Sequence, residues 1–252
     1  MIDIHSHILP GIDDGAKTEE DSLNMARAAV KDGITQIVAT PHHRNGAFEN
    51  SKDSILKYVE VLNELFHREA IPLEVLPGQE VRVYGEIAQE LEAGELLTMN
   101  QNGVYMFIEF PSSQVPRYSK QLFYDMQLEG ITPIIVHPER NQEIQSNPAL
   151  LYNLINNGAL SQVTAGSLLG RFGKKAEKLS FQLIEHNLTH FVATDAHNIS
   201  SRGFNLRDAY DLIAKEYGSD YVYMFQENAE LMIEGKVVNK EIPEPIKEKK
   251  FL

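Results

Sequence analysis

A chain of 252 residues with 42% hydrophobic and 23% charged residues can bury a sizeable core, suits one α/β barrel-sized domain, and leaves no case for disorder or low complexity. Its 23 basic and 36 acidic residues give a formal charge of −13, which argues against a general nucleic-acid or anionic-membrane binder while permitting a phosphorylated substrate at a locally positive site. With no cysteine, disulfides, thiolate chemistry and sulfur-ligated zinc are excluded, and any metal must rest on His, Asp, Glu or other oxygen ligands. No run approaches a transmembrane span and the N-terminus shows no signal pattern, so a cytoplasmic location is expected.

The opening stretch Met1 to Pro10 reads as a short apolar strand ending in His5 and His7. Side chains at i and i+2 leave a strand on one face, so the two imidazoles form a chelating half-site. A polar loop, Gly11 to Ala16, leads to a capping box at Thr18 to Asp21 and a helix that stops at Gly33. Ile34 to Thr40 is a buried strand running into Pro41-His42-His43, and Ile55 to Phe66 marks a long amphipathic helix. Leu73 to Leu76 leads into Pro77-Gly78-Gln79-Glu80, Tyr105 to Phe110 is a strand containing Glu109, and Tyr118 to Glu129 is a helix closed by Gly130. Ile131 to Val136 delivers His137-Pro138-Glu139-Arg140-Asn141. A helix capped at Asn147-Pro148 then closes at Gly158. Ser161 to Thr164 is a weak strand, Lys174 to His186 a helix, and Phe191 to Thr194 a strand delivering Asp195-Ala196-His197. Helices at 205–217 and 227–234 precede a charged tail, with residues from about 236 expected to be flexible.

Strands alternating with helices predict parallel βαβ units, and seven of them suggest a closed or nearly closed barrel over an open doubly wound sheet. The polar residues that follow the strands collect on one face: His5 and His7, His42 and His43, Glu80, Glu109, His137 with Arg140, and Asp195 with His197. A lone strand-end carboxylate is usually a cap or solvated, but six strands delivering such a group to one rim make coincidence a poor explanation. The donor set is too large for one tetrahedral zinc and fits two or three divalent ions such as manganese, iron, zinc or magnesium. Such clusters serve phosphoester hydrolysis, and the guanidinium forks of Arg140 and Arg202 match phosphate oxygens. His67, His186 and His190 read as surface or structural, and Tyr84, Phe123 and Tyr124, which could line a substrate mouth, read as core because aromatic residues at helical spacing usually are.

Taken together, His5-Ser6-His7, Asp13-Asp14-Gly15, His42, Gln79-Glu80, Glu109-Phe110-Pro111, His137 to Asn141 and Asp195-Ala196-His197 resemble the polymerase and histidinol phosphatase (PHP) superfamily. The closest resemblance is to its bacterial CpsB/CapC/YwqE-type tyrosine phosphatases, and it runs from residue 1 to about 235. The resemblance implies a single-domain distorted (β/α)7 TIM-like barrel with three divalent metal ions, usually manganese. By motif, His5, His7, Glu80 and Asp195 would hold one ion, Glu80, Glu109 and His137 a second, and Asp14, His42 and His197 a third. Asp14 comes from the resemblance alone. Arg140 and Arg202 would hold phosphate, with a metal-held hydroxide as nucleophile. The implied partner is the phosphotyrosine-containing tail of a membrane-associated bacterial tyrosine kinase in capsule and exopolysaccharide synthesis, and the alternative is another PHP phosphoesterase such as a histidinol-phosphate phosphatase.

Overall fold

Among the described residues the apolar runs become nine short strands: β1 (Ile2–Ser6), β2 (Gln36–Ala39), β3 (His42–His43), β4 (Glu74–Pro77), β5 (Glu80–Arg82), β6 (Tyr105–Glu109), β7 (Thr132–Val136), β8 (Leu160–Thr164) and β9 (Phe191–Ala193). They belong to a computed structural model that describes residues 1–246. The helices are α1 (Glu19–Asp32), α2 (Lys52–Arg68), α3 (Ile87–Glu92), α4 (Ser119–Leu128), α5 (Gln142–Ser146), α6 (Ala149–Asn156), α7 (Ala165–Leu168), α8 (Lys174–Glu185), α9 (Leu206–Tyr217) and α10 (Ser219–Ile233).

Seven expected strands become nine because two of them are interrupted. Pro41 has no N–H to continue the ladder from β2, so pairing resumes only at β3, while the Pro41 carbonyl accepts from Glu80 N–H at 3.1 Å. Between β4 and β5, a Cβ on Gly78 would fall 2.7 Å from Val38 Cγ1, so the chains pass too closely for any side chain there. All pairings are parallel, in the orders β1-β2-β4 and β3-β5-β6-β7-β8-β9. The two sheets meet at the rim, where Ser6 bridges Ala196, Asp195 N–H donates to the His5 carbonyl at 2.9 Å and His7 N–H to the Ala196 carbonyl at 2.8 Å. The C-terminal ends of the strands therefore share one face.

Alternation along the strands sorts their side chains. Met106, Ile108 and Ile135 face the helices and join the large outer core, while Tyr105, Phe107, Ile134, Val136 and Ala193 form an inner apolar cluster with Ile4 and Val38. Each of the Ile, Val, Met and Phe side chains among them, fully buried, contributes about 1.5–3 kcal/mol. Nearer the rim the inner positions turn polar. Register places His42, Glu80 and Phe107 side by side, and Arg82 beside Glu109. β1 breaks strict alternation. Ile4 packs with Phe107 and so does the adjacent His5, at a ring separation of 5.1 Å, and the register shift between Asp3 and Ser6 brings these consecutive residues to one side.

Thr18 caps α1 through the expected box with Asp21, and Gly33 ends it in the left-handed conformation. The helix expected to open at Asn147-Pro148 forms as α6, and α5 is an additional short helix before it. Asn147 ends α5 by donating to the Glu143 carbonyl, and Pro148 precedes α6. The last helix starts eight residues earlier than its apolar spacing suggests, because Gly218 alone separates α9 from α10. Beyond α10, Val238 is buried, Asn228 and Asn239 exchange hydrogen bonds, and Glu244 N–H donates to the His186 carbonyl at 2.9 Å. Residues 247–252 of the expected tail lie outside the described residues.

His190, at the opposite end of the strands from the rim, is buried, and its Nδ1 accepts the Ser161 N–H at 3.2 Å. Burial, assisted by the charge of Lys240, pulls it down to about 3. The folded state thus holds the neutral ring. Its contribution to stability is in place above the unfolded value near 6.5 and is lost as the pH falls from there towards 3. Urea unfolding at pH 7 and pH 5.5 should show the wild type losing about 1 kcal/mol more than His190→Asn, and equal losses would contradict this assignment.

Candidate metal centre

Glu80 sits at the middle of the rim. Its Oε2 lies 3.3 Å from His5 Nε2, 3.3 Å from His7 Nε2 and 3.0 Å from His42 Nδ1, while Oε1 lies 2.8 Å from His137 Nε2. Asp195 faces it, with Oδ1 at 3.4 Å from His5 Nε2 and 3.2 Å from His7 Nε2. Asp14 Oδ1 stands 3.4 Å from His42 Nε2 and 3.3 Å from His197 Nε2. Residues spread from 5 to 197 converge here.

The donors gather in overlapping sets: His5, His7 and Glu80; His5, His137 and Asp195; His42, Glu80 and Glu109; and His7, Asp14, His42 and His197. Of the residues expected to hold the second ion, Glu80 reaches both Glu109's set and His137, whose Nε2 lies 2.8 Å from Glu80 Oε1. Glu109 lies with Glu80 and His42 and takes Arg82 Nη2 at 3.0 Å, whereas His137 stands with His5 and Asp195. His43, also expected on the rim, alternates to the other side and lines a separate cavity with Arg44 and Glu90.

A test of fit for cations is whether donor atoms are left facing one another without partners. His5 Nε2, His7 Nε2, His42 Nδ1, Glu80 Oε2, Asp195 Oδ1 and His197 Nε2 are all buried and without a hydrogen bond. Uncompensated, each would cost about 1–3 kcal/mol or more, and a divalent ion satisfies several together. The opposite ring nitrogens are tied down. His5 Nδ1 pairs with Gln162 Oε1 at 2.9 Å, His7 Nδ1 with Asp13 Oδ2 at 2.7 Å, and His197 Nδ1 with the Asp195 carbonyl at 3.0 Å. These contacts set each ring's orientation, as outer partners of metal ligands do. Burial, followed by Arg140, lowers His137 to about 3, and burial, followed by His7, lowers His197 to about 4, so both rings are neutral as ligation requires. Burial and the charge of Glu80 raise Glu109 to about 7. His137 and Asp195 hold positive φ of 36° and 52°, a strained backbone that aims both side chains inward.

The loop carrying Asp13 and Asp14 packs so closely that a Cβ on Gly15 would lie 2.0 Å from the His7 carbonyl oxygen. Buried Asp13 accepts from Gly15 N–H at 2.9 Å and braces His7, while exposed Asp14 reaches the centre. Asp13→Asn should lower metal affinity about 10–100-fold with the fold retained, read by titrating manganese into chelator-treated protein.

Both arginines reach the site. Arg140 Nη2 and Arg202 Nη2 donate to Asp195 Oδ2 at 2.5 and 2.7 Å, bordering a cavity of about 430 Å³ also lined by Asp14, Glu109, His137 and Phe172. A larger cavity, about 600 Å³, lies beside His190, Tyr221 and Lys240, and no metal-capable group gathers there among the described residues. Asp13, Gln162 and Arg82 escaped the sequence reading. Gln162 had a signal as a polar residue in a buried strand. Arg82 would have followed from Glu80 by period-2 spacing had residues 80–82 been read as strand.

A parallel α/β scaffold with a sulfur-free, multi-carboxylate and imidazole centre at its strand ends defines the class of metal-assisted hydrolases. The chain belongs to the capsular polysaccharide synthesis CpsB/CapC family, whose model matches residues 1–234. It is 51% identical to the tyrosine-protein phosphatase YwqE of Bacillus subtilis over 251 residues, covering 100% of this chain and 98% of YwqE. It is 30% identical to CpsB of Streptococcus agalactiae serotype III, over 94% of this chain and 100% of CpsB. Solved structures of YwqE and of Streptococcus pneumoniae CpsB are described as unique metal-dependent tyrosine phosphatases. The match there has a TM-score of 0.96 at 51% identity and covers 98% of this chain and 100% of that one. An organophosphorus hydrolase mutant of Deinococcus radiodurans shares the fold, with a TM-score of 0.56 at 15% identity over 92% of each chain.

Proposed function

We propose that this chain is a metal-dependent protein-tyrosine phosphatase that acts on the phosphotyrosine-containing tail of a bacterial tyrosine kinase in the cytoplasm and so regulates capsule or exopolysaccharide synthesis. The observation that carries the reading is the placement of two arginine forks on Asp195, at the edge of a cluster of unpartnered metal donors and facing one cavity. Full-length similarity to named tyrosine phosphatases supports the substrate class. In the same reading the chain is one domain, and the two sheets form seven strand positions of a distorted (β/α)7 ring, supported by the backbone bonds between β1 and the Asp195 segment.

Three divalent ions, manganese first with iron, zinc or magnesium as alternatives, suit these donors. His5, His7, Glu80 and Asp195 would hold one, Glu80, Glu109 and His137 another, and Asp14, His42 and His197 a third, with Glu80 shared. When bound, such ions supply a nucleophile at neutral pH and neutralise phosphoryl charge. Arg140 and Arg202 would clamp non-bridging phosphate oxygens and hold the phosphorus in line with the attacking oxygen. Asp195, by accepting from both arginines, fixes their planes before substrate arrives. A phenolate is a good leaving group, so no strong protein acid is required at the ester oxygen. Among the described residues no helix is long and apolar enough to cross a membrane.

Side-by-side turnover of a phosphotyrosine peptide and histidinol phosphate with manganese tests the substrate class. Preference for the peptide is expected, and preference for histidinol phosphate would replace this reading with the alternative.

A further inference from the structure

Phe172 is 36% exposed at the edge of the metal-centre cavity. Isolated exposed phenylalanines are common and need no explanation, but this one is built in from both sides. On one side its ring lies against Gly166, where an added Cβ would come within 3.1 Å of ring Cε2. On the other, the Arg140 guanidinium stacks over it, with Cζ 4.7 Å from the ring centroid. The loop between α7 and α8 is folded tightly around the residue. Gly170 N–H donates to the Ser167 carbonyl at 3.0 Å, Arg171 N–H to Gly166 at 2.9 Å and Gly173 N–H to Gly170 at 3.2 Å, with Gly170 and Gly173 at φ of 75° and 88°. The start of this loop is anchored to the arginine's own neighbour, because Glu139 Oε1 accepts from Ser167 Oγ at 2.6 Å and from Thr164 N–H at 3.1 Å. Glu139 thus ties the segment that carries Arg140 to the start of the loop that carries Phe172.

The consequence lies in what the cavity offers beyond the phosphate. Its other apolar lining residues, Phe110, Val136 and Pro138, are buried, so Phe172 is the aromatic ring exposed at its edge, and a group attached to a phosphate held by Arg140 can lie against it. A flat aromatic ring there gains offset or edge contact, whereas a short alkyl chain gains little. We propose that Phe172 determines specificity as the aromatic wall that receives the phenyl ring of an aryl phosphate and selects it over alkyl phosphate monoesters. This rests on the phosphatase reading above and adds a residue to it.

Binding of phenylphosphonate and methylphosphonate to the full chain supplied with manganese tests the proposal without turnover. The wild type is expected to prefer phenylphosphonate. Phe172→Leu should weaken phenylphosphonate binding about 10-fold more than methylphosphonate binding, and Phe172→Tyr should retain the preference. Equal weakening of both ligands in Phe172→Leu would mean that the ring only steadies Arg140, and no change would mean that it is surface. Either result overturns the wall while leaving phosphotyrosine turnover by the wild type, measured in parallel, as the separate test of the phosphatase reading. A wild type that binds neither phosphonate and turns over no phosphotyrosine overturns both.

Discussion

Glu80→Gln should abolish more than about 100-fold of the turnover of a phosphotyrosine peptide, beyond the loss that an outer-shell partner brings. The carboxylate touches four imidazoles, with Oε2 near His5, His7 and His42 and Oε1 at His137. Burial by itself would raise its pKa, yet His42 and His5 hold it well below the ordinary range, so it is an anion in the fold. An amide of the same shape turns N–H groups towards a cation and cannot share a charge between two ions. The variant should remain folded by circular dichroism and bind fewer ions per chain. Near-normal turnover would remove Glu80 from the centre and with it the shared-ligand arrangement.

The second large effect belongs to Arg140→Lys. The substitution keeps one positive charge and removes the planar fork, so it isolates geometry from charge. Arg140 is held by Asp195 at 2.5 Å and by the Phe172 ring, and its buried Nε has no partner within the protein. Loss of a preorganised donor to a transferring phosphoryl group costs about 10²–10³ in kcat. A fall of that order in kcat/KM, with manganese affinity little changed, is expected. Arg202→Lys should cost less, because that side chain is 30% exposed and its second contact, with Asp14, is 4.0 Å long. A drop shared equally with metal affinity would mean that Arg140 serves Asp195 instead of substrate.

The alternation of helices and parallel strands was readable from apolar periodicity and glycine stops, because the sheets are covered by helices and their strands are continuous apolar runs. The breaks at Pro41 and Gly78 were not, since each separates segments that read as one strand or as a loop. The rim residues His5, His7, His42, Glu80, Glu109, His137, Asp195 and His197 could be found because a parallel α/β layout puts strand ends on one face. Asp14 stands in a loop whose path depends on Gly15 passing against His7, a tertiary contact with no periodic signature. The orienting pairs His5 with Gln162 and His7 with Asp13 are likewise matters of three-dimensional proximity, the first joining residues 157 apart in sequence. Side-chain spacing located the donors, but how they divide into sets depends on rim geometry that spacing does not encode.

Turnover of a phosphotyrosine peptide by the full-length chain after exhaustive chelation, and again after adding back manganese with the bound ions counted, tests the central claim most directly. Loss of activity on chelation and its recovery as three ions bind per chain is the predicted result. Undiminished turnover by protein shown to be free of divalent metal would contradict it.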